Sequence, residues 1–274
     1  MGWKRSERLI DMTHYFMQHP NTLISLPFFS ERYSAAKSSI SEDLSILKDT
    51  FEKQGIGKLV TIPGAAGGVK YYVQVKDNMV KPFVEELCQI LEHPNRLLPG
   101  GYLYMADIIG NPVLMDQVGR MLASKFSERP IDAVMTVATK GIPLAYATAK
   151  YLNVPVVIVR RDYKITEGST VSINYVTGSS KRIQTMLLAK RSLDEGAKVL
   201  IVDDFMKAGG TINGMISLLK EFNADYEGIA VLVEAEDVPN RLVDEYISIV
   251  KLQDVNVESK KIKVREGNYF SKGE

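Results

Sequence analysis

The chain of 274 residues contains one cysteine, Cys88, and three histidines, His14, His19 and His93. A single thiol excludes an intrachain disulfide, and so few soft ligands exclude a zinc centre of the clustered Cys/His type. Both scarcities suit a reducing, cytoplasmic setting. No apolar run approaches the roughly 18 residues of a membrane helix, and the start, Met1-Gly2-Trp3-Lys4-Arg5-Ser6, lacks an apolar signal core, so no membrane partner is expected. That start formally fits the N-myristoylation pattern, which is short and matches often by chance. There is no Gly-x-x-x-x-Gly-Lys-Ser/Thr loop, and Gly64-Ala65-Ala66-Gly67-Gly68 does not have dinucleotide-binding spacing. A net charge of +1 decides nothing about nucleic acid, because binding depends on clustered charge. With 45% hydrophobic and 24% charged residues, the chain can build one large or two ordinary globular domains.

The most informative stretch is present rather than missing. Val199-Leu200-Ile201-Val202 is an unbroken aliphatic run, as expected of a central parallel strand covered on both faces. It leads into Asp203-Asp204-Phe205-Met206-Lys207-Ala208-Gly209-Gly210-Thr211. Two ionised carboxylates accept hydrogen bonds only, which suits the vicinal hydroxyls of a ribose. The glycine-rich turn can aim backbone N–H groups and a helix start at a phosphate, and Thr211 adds a hydroxyl. At these residues the segment resembles the phosphoribosyl-pyrophosphate (PRPP) motif of the type I phosphoribosyltransferases: apolar strand, Asp-Asp, four variable residues, Gly-Gly-Thr. The resemblance implies that Asp203 and Asp204 hold the ribose and residues 205–211 hold its 5′-phosphate.

Residues 1–74 read as a separate unit of short helices followed by a hairpin. Leu9, Ile10, Thr13, Phe16 and Met17 recur at helical spacing until His19-Pro20. Pro27 starts a second short helix that Ser34 ends. A third has Ser39 and Glu42 spaced as a capping box, apolar positions at Ile40, Leu44, Leu47 and Phe51, and a stop at Gly55. Lys58–Ile62 and Val69–Val75 are strand candidates around a tip containing Pro63, Gly64, Gly67 and Gly68. The run from Ser38 to Leu47 resembles the recognition helix of bacterial winged-helix repressors. Small side chains at a helix start can enter a major groove, and a wing can reach the adjacent backbone. The candidate DNA contacts are Lys4, Arg5, Arg8, Arg32, Lys37, Ser38, Ser39, Ser41, Glu42, Gly67, Gly68 and Lys70. The unit holds nine Lys or Arg against seven Asp or Glu, so placement rather than total charge carries this reading. The bland alternative is a packing or dimerisation module whose serines merely cap a helix.

Residues 75–274 alternate helix and strand, as in a mainly parallel α/β sheet. Ala133–Val137 reads as a strand, and Ala138-Thr139-Lys140-Gly141 leads from it into a helix over Ile142–Leu152. In the resembled family this position is the pyrophosphate loop, which assigns Thr139, Lys140 and Gly141 to the diphosphate. After a strand over Val154–Val159, a polar stretch from Arg160-Arg161 through Lys164 to Ser180 reads either as a mobile lid or as a solvated β-hairpin.

Together the two parts resemble the family of purine operon repressors of Gram-positive bacteria. That resemblance implies a winged-helix domain fused to a phosphoribosyltransferase-like domain that senses PRPP instead of catalysing transfer. PRPP would lower affinity for an operator in double-stranded DNA, with Mg²⁺ carried on the diphosphate and no metal site made by protein alone. Transferases of this type often carry Thr just before Gly-Gly-Thr, where this chain has Ala208; Lys207 adds a cation while Ala208 removes a hydroxyl donor. A guanine polyphosphate competing for the pocket, with Tyr102 or Tyr104 stacking on its base, and a homodimer are further expectations. An active purine phosphoribosyltransferase and a protein-binding adaptor are the alternatives.

Overall fold

The computed structural model describes residues 2–64, 66–176, 182–236 and 238–271. The N-terminal unit is built from α1 (Arg5–Gln18), β1 (Leu23–Ile24), α2 (Leu26–Tyr33), α3 (Lys37–Gln54), β2 (Gly57–Ile62) and β3 (Gly68–Val73). Ser25 caps α2, its hydroxyl accepting from the Phe28 N–H, and Ser34 and Gly55 end α2 and α3 in left-handed conformation. The expected capping box at Ser39 and Glu42 does not form: α3 begins three residues earlier, with Ala36 at its N-cap, so both residues lie inside the helix. The reciprocal arm of such a box appears instead on α1, where the Glu7 carboxylate accepts from the Lys4 N–H at 2.8 Å.

The core of this unit is Met12, Phe16, Phe29, Tyr33, Ile40, Leu44, Leu47, Phe51, Leu59, Val69 and Tyr71. Ile10 and Met17, expected on the apolar face of α1, are exposed, because the buried stripe runs through Met12 and Phe16. The hairpin forms antiparallel from Gly57 paired with Val73 to Ile62 paired with Gly68. β1 adds a third strand along β3 that hydrophobic patterning over two residues cannot announce.

The second part follows Val73 through α4 (Asp77–Leu91), the short β4 (Leu97–Leu98) and β5 (Tyr102–Leu103), α5 (Ala106–Ile109), α6 (Pro112–Phe126), β6 (Ala133–Val137), α7 (Ile142–Leu152) and β7 (Val156–Val159). Then come β8 (Thr170–Val176), β9 (Ile183–Ala189), β10 (Lys198–Met206), α8 (Gly210–Lys220), β11 (Asp225–Ala235), β12 (Ile247–Asn256) and β13 (Lys261–Glu266). The main sheet has the order β13-β12-β11-β10-β6-β7, all parallel except the edge strand β13. Alternate residues of its strands feed two cores. Leu200, Val202, Val134 and Leu232 pack with α4, α6 and α7 on one face; Val199, Ile201, Met135 and Val231 pack with α8 and β8 and β9 on the other.

The stretch read either as a lid or as a hairpin is, over its described residues, an antiparallel hairpin of β8 and β9. Tyr175 is buried and packs beside Gly214 of α8, and Val171 and Ile173 lie against the same core, so the apolar alternation docks the stretch on the domain. Residues 177–181, the end of that stretch, lie outside the described residues. Among the described residues no helix is long and apolar enough to cross a membrane.

Candidate effector and nucleic-acid sites

β10 runs four residues further than its aliphatic core, pairing with β11 from Asp203 opposite Val231 to Met206 opposite Glu234. Both acids are therefore held on a sheet strand at its carboxyl end, where ligands of open α/β sheets bind. Asp203 is 4% exposed, and its Oδ1 accepts from the Asp204 N–H at 3.0 Å. Burial, reinforced by the neighbouring charge of Asp204, pushes the Asp203 carboxyl well above the usual carboxylate range. Burial also raises Asp204, although the Lys140 ammonium works against it. Carboxyls raised in this way are stabilised in their charged form by any further positive charge or hydrogen-bond donor brought to them.

The loop after Met206 turns at Gly209, in left-handed conformation with φ 79°, and enters α8 at Gly210. A Cβ on Gly209 would lie 2.9 Å from Val243 Cγ2, so glycine meets both the backbone conformation and the close approach. Ala208 is buried and its carbonyl accepts from the Leu242 N–H at 2.9 Å. Lys207 is exposed at the mouth, Phe205 is half-buried, and Thr211 stands in the first turn of α8.

The second expected loop meets the first. Thr139 and Lys140 are exposed after β6, following a cis Ala138–Thr139 peptide, and Gly141 is buried at the start of α7. A Cβ on Gly141 would fall 2.2 Å from Thr136 Oγ1 and 3.0 Å from Asp203 Oδ1. Only glycine lets the loop backbone come this close to the acid. The carboxylate pair, the β10–α8 turn and the start of α7 thus form one cradle. Sequence reasoning overlooked Thr136, whose hydroxyl is fully buried with no hydrogen-bond partner; its signal was a lone hydroxyl inside the apolar run Ala-Val-Met-Thr-Val. It also overlooked the segment after β11. There the buried Glu234 accepts from Arg241 and Tyr246 at 2.5 Å each and from Ser248 at 2.7 Å. Burial works to raise Glu234, but these hydrogen bonds outweigh it and hold the carboxyl below its usual range. The network anchors residues 241–246, and with them Leu242 and Val243 against the β10–α8 turn.

The expected flanking cations are less uniform. Arg160 bridges backbone to backbone with Leu187, and its guanidinium meets Glu167 at 2.7 Å, so it holds the hairpin base and not a free lid. Lys164 pairs with Asp162 at 2.5 Å. Arg161 is exposed, and its charge favours ionisation of Asp203. Tyr102 is 72% exposed on β5, with its ring beside Gly100, and Tyr104 is exposed nearby.

In the N-terminal unit, the start of α3 presents Lys37, Ser38, Ser41 and Glu42 to solvent, with Ser39 half-buried. The other side of that turn buries Asp43, fully enclosed, which binds Arg8 Nε at 2.7 Å and Arg5 Nε at 3.0 Å. Arg8 is 13% exposed on its side chain, and Arg32 pairs with Asp11 at 2.7 Å while receiving a contact with the Tyr15 ring. These arginines therefore brace the helices. Gly68 is buried where a Cβ would lie 2.3 Å from the Ile24 carbonyl, and at the half-buried Gly67 a Cβ would lie 2.3 Å from that of Ile62, so both serve the close packing of the wing. Lys4 and Lys37 are exposed, and Lys70 lies over the Tyr72 ring at 5.0 Å.

Fold and cradle together define a two-part protein whose sheet domain is of the phosphoribosyltransferase type. Residues 106–268 match the phosphoribosyl transferase domain, and residues 4–73 match the family described as bacterial purine repressor, N-terminal. The sheet domain superposes on adenine phosphoribosyltransferases from Thermoanaerobacter pseudethanolicus and Rhodothermus marinus with TM-scores of 0.53 and 0.54. At 22% identity, covering 61–62% of this chain and 99% of each structure, this is a likeness of fold. Over 270 residues the chain is 64% identical to the purine biosynthesis transcriptional repressor PurR of Bacillus subtilis, spanning 98% of this chain and 95% of that one. It is 47% identical over 268 residues to the purine biosynthesis transcriptional activator PurR of Lactococcus lactis, spanning 98% and 99%. The chain belongs to the PurR family of purine biosynthesis transcriptional regulators.

Proposed function

We propose that this protein is a cytoplasmic, homodimeric repressor of purine biosynthesis genes whose DNA affinity is lowered by PRPP. The observation that carries this reading is the cradle: a buried Asp203 beside the half-buried Asp204, facing the start of α7 and the β10–α8 turn, in the same chain as a helix-and-wing unit. Asp203 and Asp204 receive the ribose hydroxyls, residues 205–211 the 5′-phosphate, and Thr139, Lys140 and Gly141 the diphosphate. Among the described residues no group of His, Cys, Asp and Glu is arranged to hold a metal by itself. Mg²⁺ would be carried by the effector's diphosphate, whose hard oxygens suit it. On the DNA side, Lys37, Ser38, Ser39, Ser41 and Glu42 at the start of α3 meet the groove, and Lys4 and Lys70 meet phosphates. Arg5, Arg8 and Arg32 hold α1, α2 and α3 in the geometry that presents them.

The relatives bear on the sign of regulation. The 64% identical relative is named a repressor and the 47% identical one an activator; the greater identity supports repression here. A second reading as a transferase is favoured by the 32% identity over 142 residues to a xanthine phosphoribosyltransferase of Finegoldia magna. Ala208 argues against it, because a methyl in place of a hydroxyl leaves the turn one donor short while keeping its backbone amides. A guanine polyphosphate bearing a ribose diphosphate fits the same anion cradle and would favour repression, its base meeting Tyr102 or Tyr104.

The test is to titrate PRPP with Mg²⁺ into the protein bound to a labelled duplex from upstream of purine biosynthesis genes, at fixed salt. Release of the duplex is expected. Tight binding without release would overturn PRPP as the inducer, and nucleotide formed from PRPP and a free purine would establish the transferase.

A further inference from the structure

Two contacts tie the N-terminal unit to α7, the helix that starts in the diphosphate loop. Asn21, in the turn after α1, donates its side-chain N–H to the Leu152 carbonyl at 2.9 Å, and Asn153 donates to the Thr22 hydroxyl at 3.1 Å. Both lie at the opposite end of α7 from Gly141, about 16 Å away for an 11-residue helix. Asn21 and Asn153 each take left-handed conformation, with φ 57°. α7 in turn is fixed to α6. A Cβ on Gly119 would lie 2.5 Å from the Ala147 carbonyl carbon, and Asp116 binds Lys150 at 2.8 Å and Tyr151 at 2.7 Å. From α6, Arg120 reaches back into the N-terminal unit and donates to the carbonyls of Gly55 and Ile56 at 2.6 and 3.0 Å. These carbonyls close the C-terminal end of α3, whose other end carries Lys37 and Ser38.

We infer that the α6–α7 pair is the element that transmits occupancy of the diphosphate loop to the DNA-binding helix, through Asn21, Asn153 and Arg120. Two close-packed helices shift together, since their interface has no room to slip. A displacement at Gly141 is therefore delivered at Leu152–Asn153 and at Arg120 together, and these grip the unit at two separated points, the turn after α1 and the end of α3. Contacts at two points turn a small slide of the pair into a rotation of α3, the shear type of switching motion. The three residues touch neither the cradle nor the exposed start of α3, so they act on the coupling between the sites and not on either site alone. This rests on the reading of PRPP as effector proposed above.

The experiment compares the full-length protein with Asn21→Gly, Asn153→Gly and Arg120→Met. Glycine keeps the left-handed backbone while removing the side-chain donor, and methionine keeps most of the apolar stem. PRPP–Mg²⁺ affinity is measured by calorimetry, and duplex affinity by anisotropy with and without PRPP at fixed salt. In the wild type, PRPP should lower duplex affinity on the order of 5- to 150-fold. In the Asn21→Gly/Asn153→Gly pair and in Arg120→Met, each binary affinity should stay within about threefold of wild type while that ratio falls below about twofold. If Arg120→Met does not fold, the asparagine pair decides the matter. A wild-type ratio that survives in the variants overturns this inference alone; absence of any ratio in the wild type overturns the PRPP reading itself.

Discussion

At the scale of single residues, the cradle is a place where the fold is held against its own electrostatics. A carboxyl raised on folding, as Asp203 is by burial beside Asp204, binds its proton more tightly in the folded state than in the unfolded chain. Its contribution to stability is full below the ordinary carboxylate range and is lost as pH rises through the folded value. Asp203→Asn should therefore raise the melting temperature, by about 2–4 °C for each kcal/mol relieved in a chain of this size, with the advantage growing as pH rises above the ordinary carboxylate range. The same variant should no longer respond to PRPP. Thermal melts across pH together with duplex release check both halves. Thr136 makes a complementary case. Its buried hydroxyl has no partner to lose, so Thr136→Val should leave the melting temperature nearly unchanged. A drop in PRPP affinity in that variant, read by calorimetry, would place the hydroxyl on the ligand or on its loop.

Among the elements, α3 shows how a surface helix is positioned from beneath. Asp43 is enclosed between Arg5 and Arg8 of α1, and losing the more buried Arg8 leaves this carboxylate with the half-exposed Arg5 alone, at a cost that is part of the roughly 3–5 kcal/mol of a fully unpaired buried charge. Arg8→Ala should thus destabilise the N-terminal unit heavily in denaturant melts, whereas Lys37→Ala should not. Lys37 is exposed at the start of α3. If it meets a phosphate, its loss should reduce the slope of log affinity against log salt by about one, which a duplex titration at several ionic strengths measures. The contrast separates arginines that hold α3 in place from a lysine proposed to contact a phosphate.

The same two elements show what was legible in the sequence. Ile40, Leu44, Leu47 and Phe51 announced the buried face of α3, and Gly55 its end, because apolar spacing and a left-handed stop are local properties. The Asp-Asp and Gly-Gly-Thr of the cradle were equally readable. The roles of Arg5, Arg8 and Arg32 were not, since a cation looks the same in sequence whether it faces solvent or a carboxylate 20 to 40 positions away. Glu234 and Thr136 stayed hidden for a related reason: their importance comes from what the sheet brings beside them. The hairpin of β8 and β9 lay between, its alternation visible in Val171, Ile173 and Tyr175 but its docking on α8 set by tertiary packing.

For the whole molecule, a homodimer should sediment at twice the 30.6 kDa chain mass, and two chains should occupy each duplex at saturation. Analytical ultracentrifugation with and without the duplex checks this. The one cysteine bears on how such a molecule can be watched at work. Cys88 lies on α4 in the main core, 9% exposed, and burial pushes its thiol up to about 11. A thiol so protonated and enclosed is a poor nucleophile at neutral pH. Cysteines introduced at surface points outside the proposed contacts, for instance at the exposed Lys48 of α3 and Lys220 of α8, would react with maleimide dyes almost without background. The distance between α3 and α8 can then be followed by energy transfer in otherwise native protein.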